Sequence, residues 1–301
     1  MILCISMDLD PLWCYRQIYG LEPKEEPDPV TRVASARFVQ LMEGMGPGTL
    51  FVVGRELEDQ ETQKTIQEVQ SHNHEIANHT YSHPYDLFLQ SPQEIQQQIQ
   101  SGAQLIEQVC QKLPEGFRAP GYMLGGRILP ALAKNQVRYD SSILPSMAYQ
   151  GIKAMVMAVL KMRGKKIQAK MGDVRETLAP SQPYRPDLVR PWRQGQAPLL
   201  ELPISSVLGI PLIGSLLALA GPRAAGMLAS LASNLGFVNL ELHGVDLMDI
   251  QTDRLDPALG VQRDLHIPWQ RKAEIFRNFI ERLLRTHRVL TLKGAATILS
   301  Q

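Results

Sequence analysis

MILCISMDLD, Met1 to Asp10, is an apolar run of β-strand character that ends on two carboxylates. Side chains of a strand alternate between its faces, so residues 8 and 10 point the same way. One carboxylate of such a pair can bind a metal ion while the other receives a proton. The end of a first strand is also where α/β proteins commonly place their sites.

Working outward, VASARFVQLMEGMG reads as a helix closing at Gly46, and TLFVVG (Thr49 to Gly54) as a second strand. The polar amphipathic stretch ELEDQETQKTIQEVQSHN follows, then a short strand in EIANH and a long helix in PQEIQQQIQSGAQLIEQVCQKL. Next come GFRAP, a helix near ILPALAKN, and strands in VRYDSS, LLELPISS and FVNLELHG. WQRKAEIFRNFIERLLR reads as a helix before the closing VLTLKGAATIL. Strands alternating with helices at this pace predict a parallel α/β sheet or barrel.

The composition is that of a globular chain: 301 residues, 44% hydrophobic, 20% charged, net charge +1. That near-neutral balance, with no zinc-finger or helix-turn-helix spacing, argues against nucleic acid as a partner. Cys4, Cys14 and Cys110 are few, odd in number and widely spaced, which points to a reducing compartment rather than a disulfide framework. The first residues lack the basic start, apolar centre and small-residue cleavage site of a secretory leader, so the expected location is the cytoplasm.

Two segments interrupt the α/β pattern. Ser141 to Gly172 carries six basic residues (Lys153, Lys161, Arg163, Lys165, Lys166, Lys170) and no acidic one. Leu202 to Pro222 is 21 residues without a charge. Each reads equally as a buried core helix or as a membrane-surface contact, with apolar side chains in one leaflet and lysines at anionic head groups. A true span is the weakest reading, because Pro203, Pro211 and several glycines break the second segment.

The segment HEIANHTYSHPYDL, His74 to Leu87, raises the chemistry. His79 and His83 stand four residues apart, so on a helix both imidazoles would face one way and could share a metal ion. Alone the pair is weak, and surface polarity or capping explains it as well. With Asp8 or Asp10 at a neighbouring strand end it becomes a three-ligand set that leaves a position open. His72 and His74 read as surface residues, and His266 and His287 as structural or solvent-facing.

DLD, HTYSH, FRAPGY and LELHG, in that order from Asp8 to His243, resemble the NodB-type polysaccharide deacetylases (carbohydrate esterase family 4). The resemblance implies one NodB-like domain over residues 1–301, a distorted, incomplete (β/α) barrel. Helical segments at about 147–172 and 208–235 would be inserted between the third and fifth motifs. It implies metal-dependent hydrolytic N-deacylation of an amino sugar. Asp10, His79 and His83 would hold one divalent metal, zinc in most members. Asp8 would be the general base, Arg118 would pair with it, and a backbone N–H at Gly121 would meet the oxyanion. His243 would protonate the leaving amine. Asp140 would stand behind the metal set or His243, or serve a turn, and Asp246 would orient His243.

The first motif departs from the family's adjacent aspartates by one intervening residue. That D-x-D form resembles the branch that deformylates aminoarabinose on a polyprenyl phosphate. With a cytoplasmic location and the two inserted segments, it points to a lipid-linked amino sugar at the inner membrane face. An allantoinase-like amidohydrolase on a small soluble amide is the alternative, and an inactive glycan- or lipid-binding barrel a weaker one. The inserted helices could also serve self-association into a homo-oligomer.

Overall fold

The computed structural model describes residues 1–24, 28–165, 167 and 170–301. Lys166, one of the six basic residues named above, lies outside them. In chain order the elements are β1 (Ile2–Leu9), α1 (Leu12–Tyr19), α2 (Val30–Met42), β2 (Thr49–Val52), α3 (Gln60–Ser71), β3 (Glu75–Asn78) and α4 (Pro92–Cys110). They continue with β4 (Gly116–Phe117), α5 (Gly125–Lys134), β5 (Tyr139–Asp140), α6 (Met147–Met162), β6 (Leu200–Glu201) and the hairpin β7 (Ser206–Val207) and β8 (Ile210–Pro211). The chain ends with α7 (Gly214–Ala232), β9 (Phe237–His243), α8 (Trp269–Leu283), β10 (Arg288–Val289) and α9 (Leu292–Leu299).

β1 is the spine. β9 runs parallel along one edge from Ile2 to Asp8, while β10 and β2 share the other edge at its start and its end. From β2 the sheet continues in parallel through β3, β4, β5 and β6. Past β6 the chain leans back toward β9 without regular pairing: the Ser205 N–H donates to the Asn239 carbonyl at 3.1 Å, and Ile213 bridges Glu241. The expected distorted, incomplete (β/α) barrel is what forms.

The period of two on β1 separates core from site. Leu3, Ile5, Met7 and Leu9 join the outer core with Val30, Ala34 and Phe38 of α2. Cys4 faces inward, where Phe51, Ala77, Tyr139 and Leu200 fill the barrel and Leu292, Ala295 and Ala296 of α9 plug its lower end. Ser6, Asp8 and Asp10 continue that inward row upward, each at most 5% exposed. A parallel sheet covered on both faces takes residues of this kind on both sides.

The covering helices follow from sequence signals. α4 starts on a capping box of Ser91 and Glu94 with Pro92 at its first position, and buries Ile95, Ile99, Gly102, Ile106 and Val109 on one stripe. α8 buries Ile275, Phe276, Phe279, Ile280 and Leu283 in the same manner.

The two helices of the interrupting segments differ. α7 buries Leu217, Ala218, Leu228 and Ala229 while Leu219, Met227 and Leu231 stay at least 44% exposed, so it is only half a core helix. It is long and apolar enough to cross a membrane, but it kinks at Gly221–Pro222, where Gly221 has φ 79°. α6 buries only Gln150 and Leu160, and leaves Ile152, Met155 and Met162 more than half exposed. For α6 the core-helix reading is therefore wrong: no element covers most of its apolar surface among the described residues.

Candidate active site

At the top of the barrel, Asp10 Oδ1 lies 3.1 Å from His79 Nε2 and 3.2 Å from His83 Nε2. His79 Nδ1 is 2.8 Å from the Arg118 carbonyl oxygen. A carbonyl can only accept, so that nitrogen carries the proton and Nε2 presents a bare lone pair. Asp10 Oδ1 and both ring nitrogens of His83 have no hydrogen-bond partner, and all three residues are buried. Acceptors converging in a dry site repel unless a cation lies between them. Their ligand atoms fall within 4.8 Å of one another, so the donor set fits one divalent metal.

The histidines do not reach this arrangement from a helix. β3 ends at Asn78, and His79 to Pro84 is a tight loop in which Thr80 and His83 have φ of 68° and 50°. Positive φ is costly for a β-branched residue, and such strain persists only where neighbours enforce it. Here the Thr80 hydroxyl accepts from the His83 N–H at 3.0 Å, the Thr80 carbonyl accepts from Gly54, and Gly102 of α4 leaves room beneath. A Cβ on Gly102 would stand 2.5 Å from Asn78 Oδ1 and 2.9 Å from the Thr80 backbone.

Asp8 is held apart from the ligand set. Arg118 Nη1 donates to Asp8 Oδ1 at 2.5 Å, while its Nη2 and Nε donate to Ser6, Ser141 and the Ser141 carbonyl within 2.9 Å. The guanidinium is fully buried and stacks on Phe51 at 4.1 Å. The free oxygen of Asp8 is 3.9 Å from His79 Nε2, facing the same opening. Asp8, Glu241 and His243 also cluster closely, but the Arg118 charge on Asp8 disfavours a second cation there.

His243 ends β9 with Nε2 3.8 Å from Asp10 Oδ2 and 3.3 Å from the Tyr122 hydroxyl. Its Nδ1 lies 3.1 Å from Glu241 Oε1. Burial works against the imidazolium, but Glu241, Asp10, Asp8 and Asp246 outweigh it and raise His243 to about 9. Burial pushes the Glu241 carboxyl up, opposed by His243. Glu241 was not singled out from the sequence, although its place two residues before His243 on one strand was the available signal.

Asp246 accepts from the His243 backbone N–H at 2.8 Å, so it fixes the residue while Glu241 faces the ring. Asp140 hydrogen bonds Ser142, whose hydroxyl holds the Ala119 N–H, rather than bonding to the ligand set or His243. It thereby supports the loop bearing Arg118 and Gly121. Gly121 has φ 66° and lines the cavity beside Tyr122. Of the remaining histidines, His72 and His266 are exposed and His287 is buried. His74 corrects its surface reading: it is 6% exposed, packs edge-on against Phe38, and accepts from the Gly48 N–H at 2.9 Å.

A cavity of about 330 Å³ opens over Asp8, Asp10 and His243, ringed by Tyr15, Tyr19, Tyr85, Tyr122 and Tyr149. Away from the carboxylates its wall turns apolar, supplied by α6 and the start of α7.

Residues 32–140 match the family model described as polysaccharide deacetylase. A chitooligosaccharide deacetylase from Bradyrhizobium sp. (strain ANU 289) is 36% identical over 75 residues, 25% of this chain and 33% of that protein. The match thus spans about a third of the relative's length. A crystal structure from Mycobacterium smegmatis assigned to the polysaccharide deacetylases superposes with a TM-score of 0.60 at 17% identity, covering 99% of this chain and 90% of that one. A CE4-family pseudoenzyme from Bacillus anthracis gives 0.50 at 12% identity, over 98% of this chain and 65% of that one. The resemblance to the NodB-type deacetylases therefore holds in sequence and in fold. Since that fold also houses a pseudoenzyme, activity has to be argued from the site.

Proposed function

We propose that this chain, with its NodB-type barrel and polysaccharide deacetylase match, is a metal-dependent hydrolase. It removes an acetyl or formyl group from an amino sugar carried on a lipid at the cytoplasmic face of the membrane. The observation that carries the reading is the convergence of Asp10, His79 and His83 beside a separate carboxylate and a protonatable imidazole.

A divalent cation bound there, zinc by the chemistry of a two-imidazole, one-carboxylate set, would supply Lewis acidity toward the acyl oxygen and the attacking water. Asp8, oriented by Arg118, takes one proton from that water as its oxygen bonds to the acyl carbon. The backbone N–H at Gly121 faces the oxygen on which charge accumulates. His243, raised toward the protonated form, gives its proton to the nitrogen as the carbon–nitrogen bond breaks. A free amine and a carboxylic acid leave, and the proton taken up by Asp8 returns to His243 through solvent.

Two features, the cavity wall and α6, support a lipid-borne substrate, and a third supports the cytoplasmic side. The aromatic ring of the cavity suits a sugar, and its outer wall is apolar. α6 is an exposed apolar helix whose end carries Lys161 and Arg163. The cysteines Cys4, Cys14 and Cys110 are all unpaired, in keeping with a reducing compartment.

The test is mass spectrometry of bacterial membrane lipid extracts incubated with the metal-loaded protein, with Asp8→Asn as control. A glycolipid that loses an acetyl or formyl mass only with the unaltered protein supports the reading. Unchanged lipids, with acyl release from a soluble amide, would replace it with a soluble substrate.

A further inference from the structure

α6 presents one continuous stripe to the cavity: Tyr149, Ile152, Lys153, Val156, Met157 and Leu160 all line it. Those spacings of three and one are the face of a single helix. The stripe is graded. Tyr149 packs edge-on against Tyr122, whose hydroxyl meets His243, so this end belongs to the catalytic centre. Lys153 comes next, and its ammonium donates to the Gly121 carbonyl at 3.3 Å. Beyond it, over about 10 Å of helix, the stripe is wholly apolar. Leu216 and Leu219 of α7 line the same part of the cavity.

Lys153 has no ion pair within 4 Å among the described residues: the carboxylate that influences it most, Glu176, takes the Gly125 N–H on Oε1, leaves Oε2 without a partner, and stands beyond that distance. Burial lowers the ammonium to about 8, with Glu176 opposing. A half-buried cation between a reaction centre and an apolar trough is costly unless a ligand supplies the counter-charge. The trough has the same need, since Ile152 is 52% and Val156 39% exposed. One occupant satisfies both. On a 2-acylamino sugar the anomeric oxygen is on the ring atom next to the one bearing the amide. A phosphate at that oxygen lies beside the reacting group, and an alkyl chain on the phosphate continues away from it.

We infer that Lys153 is the phosphate-binding, specificity-determining residue of this site, and that Val156, Met157 and Leu160 with Leu216 and Leu219 hold the alkyl chain esterified to that phosphate. The inference rests on the deacylase reading for the position of the sugar, but not for the phosphate and chain. Recognition is divided along the stripe: amide at the metal end, anion at Lys153, hydrocarbon beyond. Lys170, also on the cavity wall, adds positive charge of the same sign.

Binding of decyl phosphate, measured by titration calorimetry on the metal-loaded chain, tests this without any turnover. Decyl glucoside supplies a chain without the anion, and N-acetylglucosamine 1-phosphate an anion without the chain. Decyl phosphate is expected to bind about 10- to 100-fold tighter than decyl glucoside, the range of one charge-assisted hydrogen bond, and tighter than the sugar phosphate by the burial of its chain. Lys153→Met should erase the advantage over decyl glucoside and Lys153→Arg retain it. Val156→Gln, at a half-exposed position, should weaken decyl phosphate while leaving the sugar phosphate unchanged. Circular dichroism and metal content serve as controls for folding. Equal affinity of wild type and Lys153→Met for decyl phosphate overturns the inference, as does a sugar phosphate that binds as well as the alkyl phosphate. If Lys153-dependent binding is found and no acyl group is released from any glycolipid, the deacylase reading fails and this one stands.

Discussion

Asp10 Oδ1 faces His79 Nε2 at 3.1 Å and His83 Nε2 at 3.2 Å, and neither Oδ1 nor the His83 ring has a hydrogen-bond partner. Asp10→Asn or His83→Ala should therefore lower metal affinity by more than about 100-fold, beyond the 10–100-fold typical of outer partners. Metal content after dialysis against a weak chelator checks this. His243 works differently. His243→Ala should keep the metal and lose about 10²–10⁴ in kcat, the usual contribution of a positioned acid. Glu241→Gln should keep both metal and KM but lose part of the same kcat, because the ring then lacks its charged neighbour. At the opposite end of the barrel, burial and then His72 depress His74 to about 4 against an ordinary value near 6.5. The unfolded chain binds that proton first. The stability contribution is thus complete above pH 6.5 and is lost as the pH falls through 4. The loss is on the order of 3 kcal/mol, and urea midpoints across that range should show it, flattened in His74→Gln.

The loop between β3 and α4 shows how elements make the site. Asn78 donates its side-chain amide to the Ile99 carbonyl of α4, and Gly102 lets the helix lie directly under Thr80. Gly102→Ala removes a helix-weakening residue and would stabilise an isolated helix. Here the added carbon meets backbone, so the variant should lose about 1–3 kcal/mol by overpacking. It should also bind metal more weakly, since the shift falls on His79 and His83. Thermal melts with and without metal separate the two effects. The same loop explains why the histidine spacing misleads. H-x-x-x-H suggests one turn of helix, yet the rings meet at 4.9 Å between centroids through a strained loop. Sequence spacing cannot tell these apart, because the left-handed turn is held by Gly54 and Gly102, distant in sequence, as well as by the Thr80 hydroxyl on the His83 N–H.

For the whole molecule, the open question of energy lies on the exposed side of α6 and α7. Met155, Met162, Met227 and Leu231 are each at least 44% exposed, and Lys161, Arg163 and Lys165 stand at the end of α6. Sedimentation with vesicles containing anionic lipid should carry the protein down, and Lys161→Glu with Arg163→Glu should release it. Each basic residue near such a surface contributes about 1 kcal/mol, so the pair is worth roughly 10- to 30-fold in partitioning. The binding should weaken as salt rises. Full recovery in the supernatant, whatever the lipid charge, would remove the membrane from the proposed function and leave the barrel untouched.

Periodicity and order along the chain were enough for the architecture. Alternation on MILCISMDLD, stripes on the covering helices and turn residues between them are local properties, and local propensity agrees with the global fold. The ordered motifs likewise named Asp8, Asp10, His79, His83, Arg118 and His243 as one set. Only the tertiary structure gave them distinct surroundings: Arg118 beside Asp8, two imidazoles beside Asp10, Glu241 against His243. It also decided that His74 is buried and that α6 is not a core helix. The physical reason is range. Helix and strand patterns repeat within a few residues, whereas a hydrogen bond from Arg118 to Asp8 joins positions 110 apart, and its geometry exists only once the barrel has closed around it.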